Sequence, residues 1–199
     1  MKRLLGAASL SFLLYHCAWA QVIEVESNGL KYQALTKSGI TVMFAHLQTT
    51  LHEYSIIQVT VSNGSPAPYI IRPEDFTFIR SDGSEVRAVP AHTVIEMLTK
   101  KANGGDMAKL VTAYEASILG NPSVKSIHGY EERRQAAIAS TGSKTRAAAV
   151  ASALAMVMSR MLPGNTIDGA VFFPSAGKPL GSGRMVVRTN TDTWEFNPE

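Results

Sequence analysis

Cysteine is nearly absent from this chain: Cys17 is the only one. It sits among the first twenty residues, which read as a removable leader. The mature chain is then left without a disulfide, a thiolate nucleophile or a cysteine metal site, and must rely on packing alone. An excess of either charge is missing too. Of 19 basic residues, Lys2 and Arg3 belong to the leader, so 17 face 16 acidic ones and the net charge falls to +1. That balance gives no electrostatic case for nucleic acid or an anionic membrane as partner. Long apolar runs are lacking as well. The alanine-rich stretch between Arg146 and Arg160 holds thirteen uncharged residues, too few to cross a bilayer. No motif rises to the level of a reaction, so no catalytic, cofactor-binding or metal-ligating residue is assigned and no cofactor is implied.

The leader itself is legible. Lys2 and Arg3 give a positive start, Leu4 to Leu14 an apolar run, and Ala18-Trp19-Ala20 an A-x-A cleavage signature. Cleavage after Ala20 would leave Gln21 first and the protein exported, to the periplasm or beyond. Two alternatives stand beside it. One is a retained membrane anchor. The other is lipidation of Cys17, which the bulky Tyr15 and His16 disfavour.

What the chain does have is apolar residues, 45% of the total, enough to fill a core. Their rhythm changes twice. In His52 to Asn63, Ile57, Val59 and Val61 fall on one side of an extended chain and Gln58, Thr60 and Ser62 on the other. This is the period-2 pattern of a strand with one dry and one wet face. Val22 to Val25 and Leu30 to Leu35 read as strands joined across Ser27-Asn28-Gly29, a hairpin signal. Gly39 to Leu47 reads as a strand apolar on both sides, and Gln48 to Leu51 as a turn. Tyr69 to Ile71, Asp75 to Arg80 and Glu85 to Val89 follow as short strands, with Pro73 marking an edge or a crossing point.

After Pro90 the period becomes helical. Val94, Ile95 and Leu98 share a face, and Asn103-Gly104-Gly105 ends that helix. Asp106 is placed to cap the next, whose seam is Met107, Leu110, Val111, Tyr114 and Ile118. Ile127 to Ile138 reads as a weaker helix. Thr145 to Leu162 reads as one long helix, with Ala147, Val150, Leu154, Val157 and Met161 at helix–helix spacing. The preferred partner for that helix is the Met107–Ile118 seam, as a helical hairpin. A membrane surface or a swapped partner chain is the alternative. The two-residue rhythm resumes at Ile167 to Phe173, Arg184 to Thr189 and Thr193 to Phe196.

The expected organisation is therefore a mainly β fold interrupted by helices: residues 1–20 a signal peptide, 21–90 the first part of an immunoglobulin-like antiparallel β-sandwich, 91–163 a helical insertion, and 164–199 the last strands of the same sandwich.

Residues that could carry chemistry give little. His52-Glu53 opens like a zinc-protease H-E-x-x-H, but Ile56 stands where the second histidine belongs, and the pair opens a strand. Met156, Met158 and Met161 resemble a soft-metal set, yet on a helix Met156 and Met158 lie about 200° apart, so core packing is the simpler role. His46, His92 and His128 have no partner at a recognisable spacing. Gly181-Ser182-Gly183 reads as a hairpin turn, and Asn63-Gly64-Ser65, although a glycosylation sequon, as a turn. Glu74, Asp75, His92 and Glu96 cluster in sequence at the start of the insertion and could do acid–base work if the fold brought them together.

The strand order from Gly39 to Ser81, followed by Gly164-x-x-x-x-Gly169-x-Val171-x-Phe173-Pro174, resembles uncharacterised bacterial extracellular immunoglobulin-like (telokin-like) sandwiches. The likeness covers about half the chain, rests on hydrophobic and turn patterns, and does not extend to the helical block from His92 to Leu162. It implies a sandwich and an extracellular setting, and no activity. The expectation for function is an exported binding or envelope-associated module with the insertion as contact surface. An enzyme assembled near the base of the insertion, or a self-associating structural protein, is the alternative.

Overall fold

The computed structural model describes residues 21–27, 30–103, 105–106, 139 and 143–198. The expected helices over 107–118 and 127–138, and His128, lie outside the described residues, as does the leader.

Eleven strands and two helices are described. In chain order they are β1 (Ile23–Ser27), β2 (Leu30–Lys37), β3 (Ile40–Leu51), β4 (Tyr54–Asn63), β5 (Tyr69–Ile71), β6 (Phe76–Arg80), β7 (Glu85–Arg87), α1 (Ala91–Lys101), α2 (Ser143–Leu154), β8 (Ser159–Met161), β9 (Thr166–Pro174), β10 (Gly183–Arg188) and β11 (Thr193–Glu195). They form a five-stranded sheet β1-β2-β3-β4-β9, a four-stranded sheet β11-β10-β6-β7 and a ribbon β5-β8, every pair antiparallel. The fold is mainly β with a helical insertion, as the rhythm predicts. Late strands pair with early ones in both sheets: β9 runs along β4 from Tyr54↔Pro174 to Ser62↔Thr166, and β10 runs along β6.

One apolar cluster lies between the sheets. Val42, Phe44, Val59 and Phe173 of the five-stranded sheet meet Phe76, Phe78, Val187 and Trp194 of the other. A second cluster covers the opposite face of the five-stranded sheet. There Val94, Met97 and Leu98 of α1 and Ala147, Val150, Ala151 and Leu154 of α2 pack on Leu51, Tyr54, Ile56, Ala170 and Phe172. The wet face expected for β4 is thus dry along its first half, because the insertion's own helices close over it. Even Gln58 is buried.

Two boundaries differ from the sequence reading. The expected turn at Gln48–Leu51 is strand: β3 continues through a register shift between His46 and Thr50, and the chain reverses only at His52-Glu53. The long helix ends at Leu154, not Leu162. Ala155 instead bridges to Ala170, and Met156 N–H donates to the Ala170 carbonyl at 2.9 Å. The chain then runs extended as β8. Only Ala147, Val150 and Leu154 of the expected seam act as one. Val157 is exposed, and Met161 is buried through strand pairing. Gly169 permits this exchange, since a Cβ there would sit 2.7 Å from the Met156 nitrogen.

Candidate functional site at the root of the insertion

Three segments meet at the end of the five-stranded sheet where the β3–β4 turn lies. The first is that turn, where His52 holds a left-handed φ of 50°. Such a backbone is costly for a residue with a Cβ and persists where its surroundings fix it. The second is the chain leaving α1, which carries Asp106. The third is the loop after β9, where Ala176 has φ 52° and Gly177 φ 76°. Gly177 is packed so close that a Cβ would lie 2.9 Å from the His52 carbonyl oxygen.

The polar contacts follow from that convergence. His52 Nε2 lies 2.8 Å from Asp106 Oδ2, which also accepts the Asn103 N–H at 2.7 Å. The Asp106 side chain is only 2% exposed, whereas that of His52 is 23% exposed. A buried carboxylate is thereby matched by one imidazole and one backbone donor, and the partly open ring is held in a fixed orientation. Ser175 N–H donates to the Glu53 carbonyl at 2.7 Å, and the buried Ser55 hydroxyl lies 2.8 Å from the Lys178 carbonyl and 3.0 Å from Ser175 Oγ. Lys101 and Glu53 face each other at 3.9 Å on the exposed rim. No family model, curated protein or solved structure matches this chain. The chemistry of the root is accordingly read from its own atoms: an oriented imidazole beside a buried carboxylate, able to hold or pass a proton.

A second feature lies where the insertion returns to the sheets. In the β5–β8 ribbon, Tyr69 pairs with Met161, Ile70 with Arg160 and Ile71 with Ser159. Ile71 and Met161 point into the core. Ile70 and Arg160 share the outer face, and Met158 and Leu162, two residues either side of Arg160, continue it. Ile70, Val157, Met158 and Leu162 are about half or more exposed. Three large exposed apolar side chains, Ile70, Met158 and Leu162, thus flank one arginine.

The residues singled out from sequence divide clearly. Glu74 and Asp75 lie in the 3-10 turn Pro73–Asp75, while His92 and Glu96 are exposed on α1. Asp75 accepts the Arg72 N–H at 2.8 Å. Burial raises its pKa, opposed by that hydrogen bond and by Arg72. No hydrogen bond or ion pair among the described residues joins Asp75 or Glu74 to His92 or Glu96. His46 sits edge-on to Phe44 and Phe78, and burial lowers its pKa to about 4. Met156 and Met161 are core, whereas Met158 is 65% exposed. Among the described residues no group of three or more His, Cys, Asp or Glu could hold a metal ion.

The pair that sequence reasoning missed is His52–Asp106. They stand 54 positions apart, and the sequence presents His52 only in an incomplete zinc motif and Asp106 only as a helix cap. The one available signal was a histidine at a hairpin turn, and that does not name its partner.

Proposed function

We propose that this chain is an exported, non-enzymatic binding or envelope-associated module whose contact surface lies on the helical insertion, where it rejoins the sheets. The observation that carries the reading is the exposed row Ile70, Met158 and Leu162 beside Arg160. Its position supports the reading further. The ribbon is anchored by Ile71 and Met161 in the main core, so the row is displayed on a rigid base. The leader pattern of Lys2, Arg3 and Ala18-Trp19-Ala20, together with the likeness to extracellular immunoglobulin-like sandwiches, supports a place outside the cytoplasm. Among the described residues no helix is long and apolar enough to cross a membrane.

The test is cross-linking in the native envelope, comparing the native chain with a variant carrying Ile70→Ser, Met158→Ser and Leu162→Ser. The cross-linked adduct should disappear while the melting temperature holds. An adduct that forms equally well in the variant contradicts the reading. Intact mass of the exported chain should start at Gln21, and a Met1 start contradicts cleavage.

The His52–Asp106 pair favours one other reading, an enzyme whose site assembles at the root of the insertion. In that case a substrate screen should find turnover whose acid–base profile is lost in His52→Gln.

A further inference from the structure

The five-stranded sheet ends on β1, and among the described residues β1 has a neighbour on one side only. An edge strand leaves a row of backbone N–H and C=O groups without ladder partners, and natural edges are commonly protected by lysine, proline or a bulge. β1 carries none of these, and its only protective charges are two glutamates. Ile23 is 60% exposed and Val25 53% exposed on one face, and Glu24 and Glu26 occupy the other.

The glutamate face is unevenly compensated. Glu26 stands opposite Lys31 on β2, but Glu24 stands opposite Gln33. Gln33 is a polar side chain only 3% exposed. Its Nε2 donates to the Asn197 carbonyl at 3.4 Å, and its Oε1 meets no donor. An unmet buried acceptor is uncommon and costly. It borders an open groove of about 460 Å³ lined by Glu24, Glu26, Lys31 and Gln33 together with the less polar Val25, Tyr32 and Pro198. The groove therefore offers two carboxylates against one ammonium, so what fits it brings positive charge.

We propose that β1 is a docking edge for an extended basic peptide of alternating lysine or arginine and apolar residues. Laid beside β1, such a peptide extends the sheet by one strand. Residues opposite one another across a ladder share a face. The peptide's basic side chains reach Glu24 and Glu26, and its apolar side chains cover Ile23 and Val25. Backbone pairing supplies affinity and the alternating faces supply selectivity. A second copy of the same edge fits poorly. Antiparallel β1–β1 pairing that keeps the faces matched sets Glu24 opposite Glu26, or a glutamate opposite itself, and like charges in that position repel.

The test is fluorescence anisotropy with the full exported protein and two labelled peptides, one alternating lysine and valine, the other alternating glutamate and valine. The lysine peptide should bind about tenfold or more tightly than the glutamate peptide, and more weakly at high salt. Glu24→Gln with Glu26→Gln should weaken the lysine peptide by about tenfold or more, while Ile70→Ser with Met158→Ser leaves it unchanged. Equal binding of the two peptides, binding of neither, or an unaffected glutamine variant overturns the proposal. So does a concentration-dependent dimer, seen by sedimentation, that vanishes in Ile23→Ser with Val25→Ser, because it assigns the edge to a second copy. The loss of the envelope adduct with serines at Ile70, Met158 and Leu162 is read on a different surface, so each proposal can fail alone.

Discussion

Asn63 ends β4 with its side chain wholly buried. Its Nδ2 donates to the carbonyls of Ala67 and Met161, at 2.9 and 3.1 Å. Its Oδ1 accepts the Ser65 N–H at 3.0 Å and lies 2.7 Å from the Ser65 hydroxyl. One amide thus ties the turn after β4 to β8. Asn63→Ala removes these bonds, of which the one to the Met161 carbonyl is buried, and should cost roughly 1–3 kcal/mol of unfolding free energy in a denaturant titration. An unchanged midpoint would remove Asn63 as the tie. His46 sets a pH response. Its pKa falls from 6.5 to about 4 because burial disfavours the imidazolium. Above pH 6.5 it contributes no pH dependence. Between 6.5 and 4 the unfolded chain binds a proton that the folded chain does not, so stability falls as pH falls, by up to about 3 kcal/mol. His46→Phe, which keeps a ring between Phe44 and Phe78, should flatten that interval of the profile. A profile of the same slope would show that other groups cause it.

Among the elements, the exchange of helix for strand at Leu154 decides how the insertion is seated. Helical spacing holds through Met161 in the sequence, yet β9 draws Met156 into a backbone bond and the helix stops. Gly169→Ala should oppose this contact, since its Cβ would fall 2.7–2.8 Å from Met156 backbone atoms. The expected cost is roughly 1–3 kcal/mol, read from the denaturant midpoint, together with faster amide exchange at Met156. Tolerance with no change in exchange would contradict the close approach. The β4 pattern was readable because Ile57, Val59 and Val61 report one face directly. The helix end was not, because it depends on Gly169, which approaches only in space. The turn at His52 was hidden for a related reason: histidine is only a weak signal for a left-handed φ, and the surrounding contacts hold it there.

Over the whole molecule, the two ends of the chain form one pleated body, and the helices between them close a second core on its outer face. Period-2 alternation made the first half of that statement legible. The second half was not, since Tyr54, Ile56, Ala170 and Phe172 look like part of an ordinary alternating surface until α1 and α2 cover them. For the same reason the described part of the insertion is not a detachable appendage. Substitutions on its exposed row test its role more cleanly than removal, which would bare those four side chains. The ladder between β4 and β9 is the feature on which both cores depend. Nuclear Overhauser contacts across it give the most direct test. Cross-strand signals should join Ile57 to Val171, Val59 to Gly169 and Val61 to Ile167. A segment from Thr166 to Pro174 whose backbone shows contacts to no residue before Val89 would contradict it.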